Sequence, residues 1–200
     1  KVTEATFDRL HINRKNQHYQ KAIEIAKLLL LQYHPDLSKG KNHVLALMFD
    51  MNLLWEQFIY VTLRKKKEVY TTITAQTSKF FWKPQDGKRS SMKPDIWIKT
   101  NDGNIVLDTK WKNLNGFNPS PDDLRQMYVY HHYYDAKKVA LVYPGTTNGN
   151  RNGYYIDKLS NSLDQNKECS VILIAVEKNI NDWQNNIQSQ LFGWIKENLL

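Results

Sequence analysis

The sequence predicts an α/β domain in which helices flank a small mixed β-sheet, with a helical part in front. Three observations predict it. Residues 22–31 and 44–63 carry apolar side chains at helical spacing. Residues 93–112 read as two strands joined by a tight turn. Residues 139–143 and 171–176 are continuous apolar runs, the pattern of strands covered on both faces. The predicted order is helices, strand, hairpin, helix, strand, strand, helix. Residues 1–66 form the helical part, packing on a core of residues 67–200, and residues 15–200 read as one continuous domain.

Each element has its own signal. Ala22, Ile23, Ile25, Ala26 and Leu28 to Leu31 give the first helix one broad apolar side, and Pro35 ends it. The second helix, residues 43–66, is apolar nearly all round, which predicts a buried helix. Leu53, Tyr60 and Leu63 share one of its stripes with Glu56, a carboxylate that needs a partner there. Residues 68–76 are rich in Val, Thr, Ile and Tyr and read as a strand. Residues 77–93 read as a long loop in which cations alternate with aromatics, around Phe80, Phe81 and Trp82. Lys83, Lys88, Arg89 and Lys93 are its candidate phosphate contacts. Ser120-Pro121-Asp122-Asp123 is a helix start, with a capping Ser, Pro at the first position and acids in the first turn. That helix runs to about Asp135 and puts Gln126 and Tyr130 on a common face. Adjacent His131 and His132 point to different faces and make a poor metal site. Residues 145–154 read as a Gly/Asn loop with Arg151 as a phosphate contact, and residues 181–200 as an amphipathic helix.

Composition narrows the partner. The chain has 200 residues, 41% of them hydrophobic, and a net charge of +8 with a pI near 9.4. That favours a polyanion, nucleic acid before a membrane surface. Cys169 is the only cysteine, so no disulfide forms within the chain, and a reducing compartment such as the cytoplasm fits. There is no Cys/His zinc pattern, no signal peptide, no P-loop, and no apolar run near the ~20 residues of a membrane span. The chain begins at Lys1 rather than Met and reads as part of something longer.

The chemistry concentrates in the hairpin. A turn centred on Asp102-Gly103 would set Trp97 opposite Asp108 and Asp95 opposite Lys110. Asp95, Asp108 and Lys110 then share one face, and Ile96, Ile98, Ile105, Leu107 and Thr109 share the other. Two neighbouring carboxylates repel when ionised, and a divalent cation removes that penalty. Oxygen ligands suit Mg²⁺, or Mn²⁺. A lysine beside the ion can orient or deprotonate water, or neutralise charge growing on a phosphate. The set points to metal-assisted hydrolysis of a phosphodiester.

Pro94-Asp95 followed by Asp108-Thr109-Lys110 resembles the signature of the PD-(D/E)xK nuclease superfamily. Residues 49–58 (Phe-Asp-Met-Asn-Leu-Leu-Trp-Glu-Gln-Phe), residues 126–130 (Gln-Met-Tyr-Val-Tyr) and Val142-Tyr143-Pro144 narrow the resemblance to the McrC family, over roughly residues 15–145. McrC proteins are the nuclease subunits of modification-dependent (type IV) restriction systems.

The resemblance implies a PD-(D/E)xK restriction-endonuclease-like core of three antiparallel strands, a crossover helix and a further strand. It implies Asp95, Asp108 and Glu56 as metal ligands, with the Thr109 carbonyl as a further one. Lys110 would position or activate water, and Gln126 would orient groups at the site or contact DNA with Tyr130 beside it. The expected products carry a 5′-phosphate and a 3′-hydroxyl. The implied partners are double-stranded DNA, modified in the manner of 5-methylcytosine, and an AAA+ GTPase of McrB type, with self-association for double-strand cutting. The family's motor-engaging amino-terminal region has no room before residue 15, so either this is the nuclease portion alone or the partner contact differs. Two rival readings are a nuclease of the same fold in repair or recombination, and a catalytically silent DNA-binding module.

Overall fold

A computed structural model describes residues 3–10, 16–31, 50–66, 70–114 and 116–197. The chain divides into two compact units, Lys1–Phe49 and Asp50–Leu200. In the first unit, helices α1 (Glu4–Asp8) and α2 (Gln20–Leu30) are linked by an ion pair, Lys27 Nζ to Asp8 Oδ1 at 3.9 Å. The predicted end of the first helix at Pro35, and the first part of the second helix, residues 43–49, lie outside the described residues.

The second unit holds the site. Helix α3 (Met51–Arg64) starts where Asp50 accepts hydrogen bonds from the amides of Asn52 and Leu53. The strands are β1 (Thr72–Ala75), β2 (Lys79–Trp82), β3 (Ser90–Met92), β4 (Ile96–Lys99) and β5 (Asn104–Thr109). Helix α4 (Pro121–Tyr133) follows, then β6 (Ala136–Gly145), β7 (Gly149–Arg151), β8 (Tyr154–Ile156), β9 (Leu163–Ala175) and helix α5 (Ile180–Lys196). The main sheet runs β1-β4-β5-β6-β9-β7, with β8 also on β9. β1, β4 and β5 are antiparallel, and β5, β6 and β9 are parallel. The connection from β5 to β6 passes through α4, so the expected three antiparallel strands, crossover helix and further strand are present.

Alternation along the strands builds two cores. One face sends Ile96, Ile98, Ile105, Leu107, Val142 and Ile172 against Trp55, Ile59 and Leu63 of α3 and Leu191 and Trp194 of α5. The other sends Val106, Val139, Leu141, Tyr143 and Val171 against Met127, Tyr130 and Tyr134 at α4. Each large apolar side chain so buried contributes about 1.5–3 kcal/mol. Trp55 also donates from Nε1 to the Val142 carbonyl and stacks on Trp183 with ring centres 5.5 Å apart.

Four expectations need correcting. The α3 helix is buried on one side only, because Leu53, Leu54 and Val61 are exposed. The stretch 77–93 is no plain loop but a separate antiparallel pair, β2 with β3, carrying a bulge. The Gly/Asn stretch contains β7 and leads into β8, which starts at Tyr154. The hairpin register is two residues off: Trp97 pairs with Val106 and Ile96 with Leu107. The turn centres on Asn101-Asp102, closed by the Thr100 amide donating to the Gly103 carbonyl at 3.0 Å. The physical reason is the φ requirement. A primed turn on Asp102-Gly103 would force Asp102 to positive φ. In the observed turn Gly103 alone takes it, at +141°. A shift of two preserves face parity, so Ile96, Ile98, Ile105 and Leu107 keep their predicted core face.

Candidate active site

The two aspartates lie on the α4 side of the sheet. Continued by one residue, the β4–β5 register sets Asp95 across from Asp108 rather than from Lys110. The ladder frays here, and the Thr109 amide donates to Asp95 Oδ2 at 2.6 Å, with the Thr109 hydroxyl donating to the same oxygen at 2.8 Å. Asp108 is only 2% exposed, and Lys110 Nζ stands 2.5 Å from its Oδ2. The two form a close ion pair, and Lys110 is the partner of this buried oxygen. Burial, then the charge of Asp95, push the Asp108 carboxyl up to about 6, with Lys110 opposing. Burial works against the Lys110 charge, yet Asp108, Asp95 and Asp123 together raise its pKa.

Lys110 is steadied from α4. Its Nζ reaches Gln126 Oε1 at 3.4 Å, and Gln126 Nε2 donates to the Tyr130 hydroxyl at 2.9 Å. Tyr130 is buried, and desolvation followed by the Asp108 charge raises its pKa, so it stays a neutral phenol. The backbone is pinned as well. The Lys110 amide donates to the Val142 carbonyl, and the Trp111 amide to Asn52 Oδ1 in the first turn of α3.

Glu56 comes from α3 and is 7% exposed. Its partner is Gln76, whose Nε2 donates to Glu56 Oε1 at 2.7 Å. Gln76 Oε1 in turn accepts from Lys93 Nζ at 2.9 Å, and its amide donates to the Asp95 carbonyl. Burial raises the Glu56 pKa, Gln76 opposes, and Asp95 adds to the rise. Gln76 is the residue that sequence reasoning missed. It sits at φ +52°, a left-handed conformation costly for a non-glycine residue. No local pattern announces that.

Among the described residues, no three His, Cys, Asp or Glu side chains gather closely enough to hold a metal ion. Asp95, Asp108 and the Thr109 carbonyl remain as candidate donors, without Glu56 completing a set of three carboxylates. The buried Asp108 carboxylate, repelled by Asp95, fits a hard cation. Lys83, Lys88 and Arg89 are exposed at the turn between β2 and β3. Lys93 is exposed but tied to Gln76. Arg151 lies over the Phe117 ring on β7, about three strand spacings (~14 Å) from Asp108 across the sheet. His131 is buried with both ring nitrogens against carbonyl oxygens, of Ala136 and Glu168, and takes no part.

The profile of a family described as "McrBC 5-methylcytosine restriction system component" matches residues 1–144. The chain belongs to the McrBC family. A second likeness is to McrC in an assembly of Thermococcus gammatolerans McrB AAA+ hexamers with bound McrC. It has 22% identity and a TM-score of 0.58, and covers 97% of this chain and 42% of that one. At that identity the likeness concerns the fold, and this chain spans less than half the length of that relative. The crystal structure of protein VC1899 from Vibrio cholerae aligns at 12% identity and a TM-score of 0.46, over 94% of this chain and 46% of that one. No curated protein matches. The mixed sheet flanked by helices is thus a McrC-like fold. No helix among the described residues is long and apolar enough to cross a membrane.

Proposed function

We propose that this McrBC-family chain is the DNA-cutting part of a modification-dependent restriction system, a Mg²⁺-dependent endodeoxyribonuclease of PD-(D/E)xK type. The observation that carries the reading is the buried Asp108 carboxylate, set beside Asp95 and touched by Lys110. Asp95, Asp108 and the Thr109 carbonyl hold the ion, and Glu56 adds negative charge from its place on Gln76. When bound, the divalent ion supplies the positive charge that lets a phosphodiester be attacked. Lys110 does the rest of the local work. Its ammonium, held between Asp108 and Gln126, orients the attacking water and balances charge growing on the phosphate. Gln126 and Tyr130 keep that ammonium in place. Lys83, Lys88, Arg89 and Lys93 hold the DNA backbone on one side and Arg151 on the other. The partner is an AAA+ GTPase of McrB type acting on 5-methylcytosine-type DNA, a reading supported by the family and by the company McrC keeps in the relative. Double-strand cutting would engage two copies, one site per strand.

Thermal unfolding of native protein and Asp108→Asn, in EDTA and in Mn²⁺, tests the metal site. A raised carboxyl pKa means the folded state prefers the proton, so native stability falls as pH rises from about 4 through about 6. Without metal at pH 7 the variant should therefore unfold at a higher temperature, by a free energy on the order of 1–3 kcal/mol. Saturating Mn²⁺ should raise the native midpoint and leave the variant's in place. An equal response of both proteins to Mn²⁺, or none by the native, would contradict the site.

A further inference from the structure

Strand β2 exposes three aromatic side chains in a row: Phe80 at 63%, Phe81 at 47% and Trp82 at 55%. A lone two-stranded sheet is marginally stable in water, so something must hold this one. Its feet are fastened to the end of α4. The Tyr134 hydroxyl lies 2.6 Å from the Thr77 carbonyl and 3.0 Å from the Met92 carbonyl. Lys79 Nζ donates to the Tyr133 carbonyl at 2.6 Å, and Phe81 meets the edge of the Tyr133 ring. The arm is anchored while Phe80 and Trp82 stay more than half exposed. Only Lys93 and Pro94 separate Met92 from Asp95, so the arm stands within about 10 Å of chain from the carboxylates.

The charge around these aromatics selects their partner. Residues 79–93 hold Lys79, Lys83, Lys88, Arg89 and Lys93 against a single acid, Asp86. Lys79 and Lys93 fasten the arm, and Lys83, Lys88 and Arg89 are exposed at its turn. The Arg89 guanidinium lies over the Phe80 ring, 5.4 Å from its centre. Protein–protein faces are depleted in lysine at their centres, and a second copy of so cationic an arm would be repelled. Open aromatics edged by cations suit single-stranded nucleic acid, where every base offers a flat face and every phosphate a charge.

We propose that β2–β3 is a base-stacking arm. Phe80 and Trp82 lie against unstacked bases next to the scissile phosphate while Lys83, Lys88 and Arg89 grip the backbone. The substrate at the moment of cutting is then DNA opened locally, not an undisturbed duplex. The position of the arm relative to the cut rests on the nuclease reading above.

Fluorescence anisotropy in EDTA, with a duplex and with the same duplex carrying a short mismatched bubble, tests this. Native protein should favour the bubble by about tenfold, and 2-aminopurine placed in the bubble should be quenched on binding. The double variant Phe80→Ala/Trp82→Ala should lose the preference and the quenching, and keep duplex affinity and salt dependence. The triple variant Lys83→Ala/Lys88→Ala/Arg89→Ala should weaken both DNAs alike and flatten the salt dependence. Exposed positions leave folding intact, which the unfolding midpoint monitors. An aromatic variant that still favours the bubble overturns the arm and leaves the nuclease reading standing. So does one that binds DNA as before and changes only its sedimentation, which would mark a self-association face. Native protein that binds neither DNA overturns both.

Discussion

Gln76 is where the acidic and basic sides of the site meet: one amide holds Glu56 through nitrogen and Lys93 through oxygen. Gln76→Ala leaves a buried carboxylate without its donor, at a cost of about 1–3 kcal/mol. Cleavage should fall about tenfold or more, as for other groups that orient a metal site's ligands. Gln76→Gly relieves the left-handed backbone and still lacks the amide, so it should recover stability and not cleavage. Recovery of both would mean that Gln76 matters for its backbone alone. Sequence and structure agree best at this scale where face parity decides. Asp95, Asp108 and Lys110 stay on one face because a two-residue slip preserves it. Glu56 was legible as a buried carboxylate in need of a partner. The partner itself was not, because a positive φ at Gln76 arises from tertiary constraint and leaves no trace in neighbouring residues.

Helix α3 carries Glu56, Trp55 and Asn52, and so reaches the site by three routes. Its start depends on Asp50, which caps two amides at 3.0 and 3.2 Å. Asp50→Ala should cost about 1 kcal/mol in chemical denaturation, with a loss in cleavage no larger than that destabilisation explains. A stability change near zero would remove the cap from the account. The start of α4 was readable because Ser120, Pro121 and the two aspartates each satisfy a distinct need of a helix end, and Ser120 does cap the Asp123 amide. The β2–β3 pair was not readable. Its strands are four and three residues long and bulged, and β2 is exposed throughout, so no apolar alternation marks them. Their pairing is settled by distant groups, Tyr133 and Tyr134. The turn after β4 was misplaced for a related reason: Asp102-Gly103 satisfies a primed turn, and the Thr100 side chain tips the balance by donating to the Gly103 carbonyl.

Across the whole molecule, α3 and α5 cover one face of the sheet and α4 the other. The candidate site groups collect at one end, where β5 leaves its ladder with β4. Continuous apolar runs in β6 and β9 made the central sheet legible, since strands buried on both faces tolerate few polar residues. The charge of +8 points to a polyanion without saying where it would bind. The proposed site cuts DNA through Asp108 and Lys110 with a divalent ion. The most direct measurement is cleavage of methylated and unmethylated plasmid in Mg²⁺ and GTP with a McrB-type partner, by native protein, Asp108→Ala and Lys110→Ala. Native protein should cut the methylated plasmid, stop when EDTA is added, and lose at least about 100-fold in either variant. Variants that cut at the native rate would contradict the account, as would native protein that never cuts and binds DNA no differently from them.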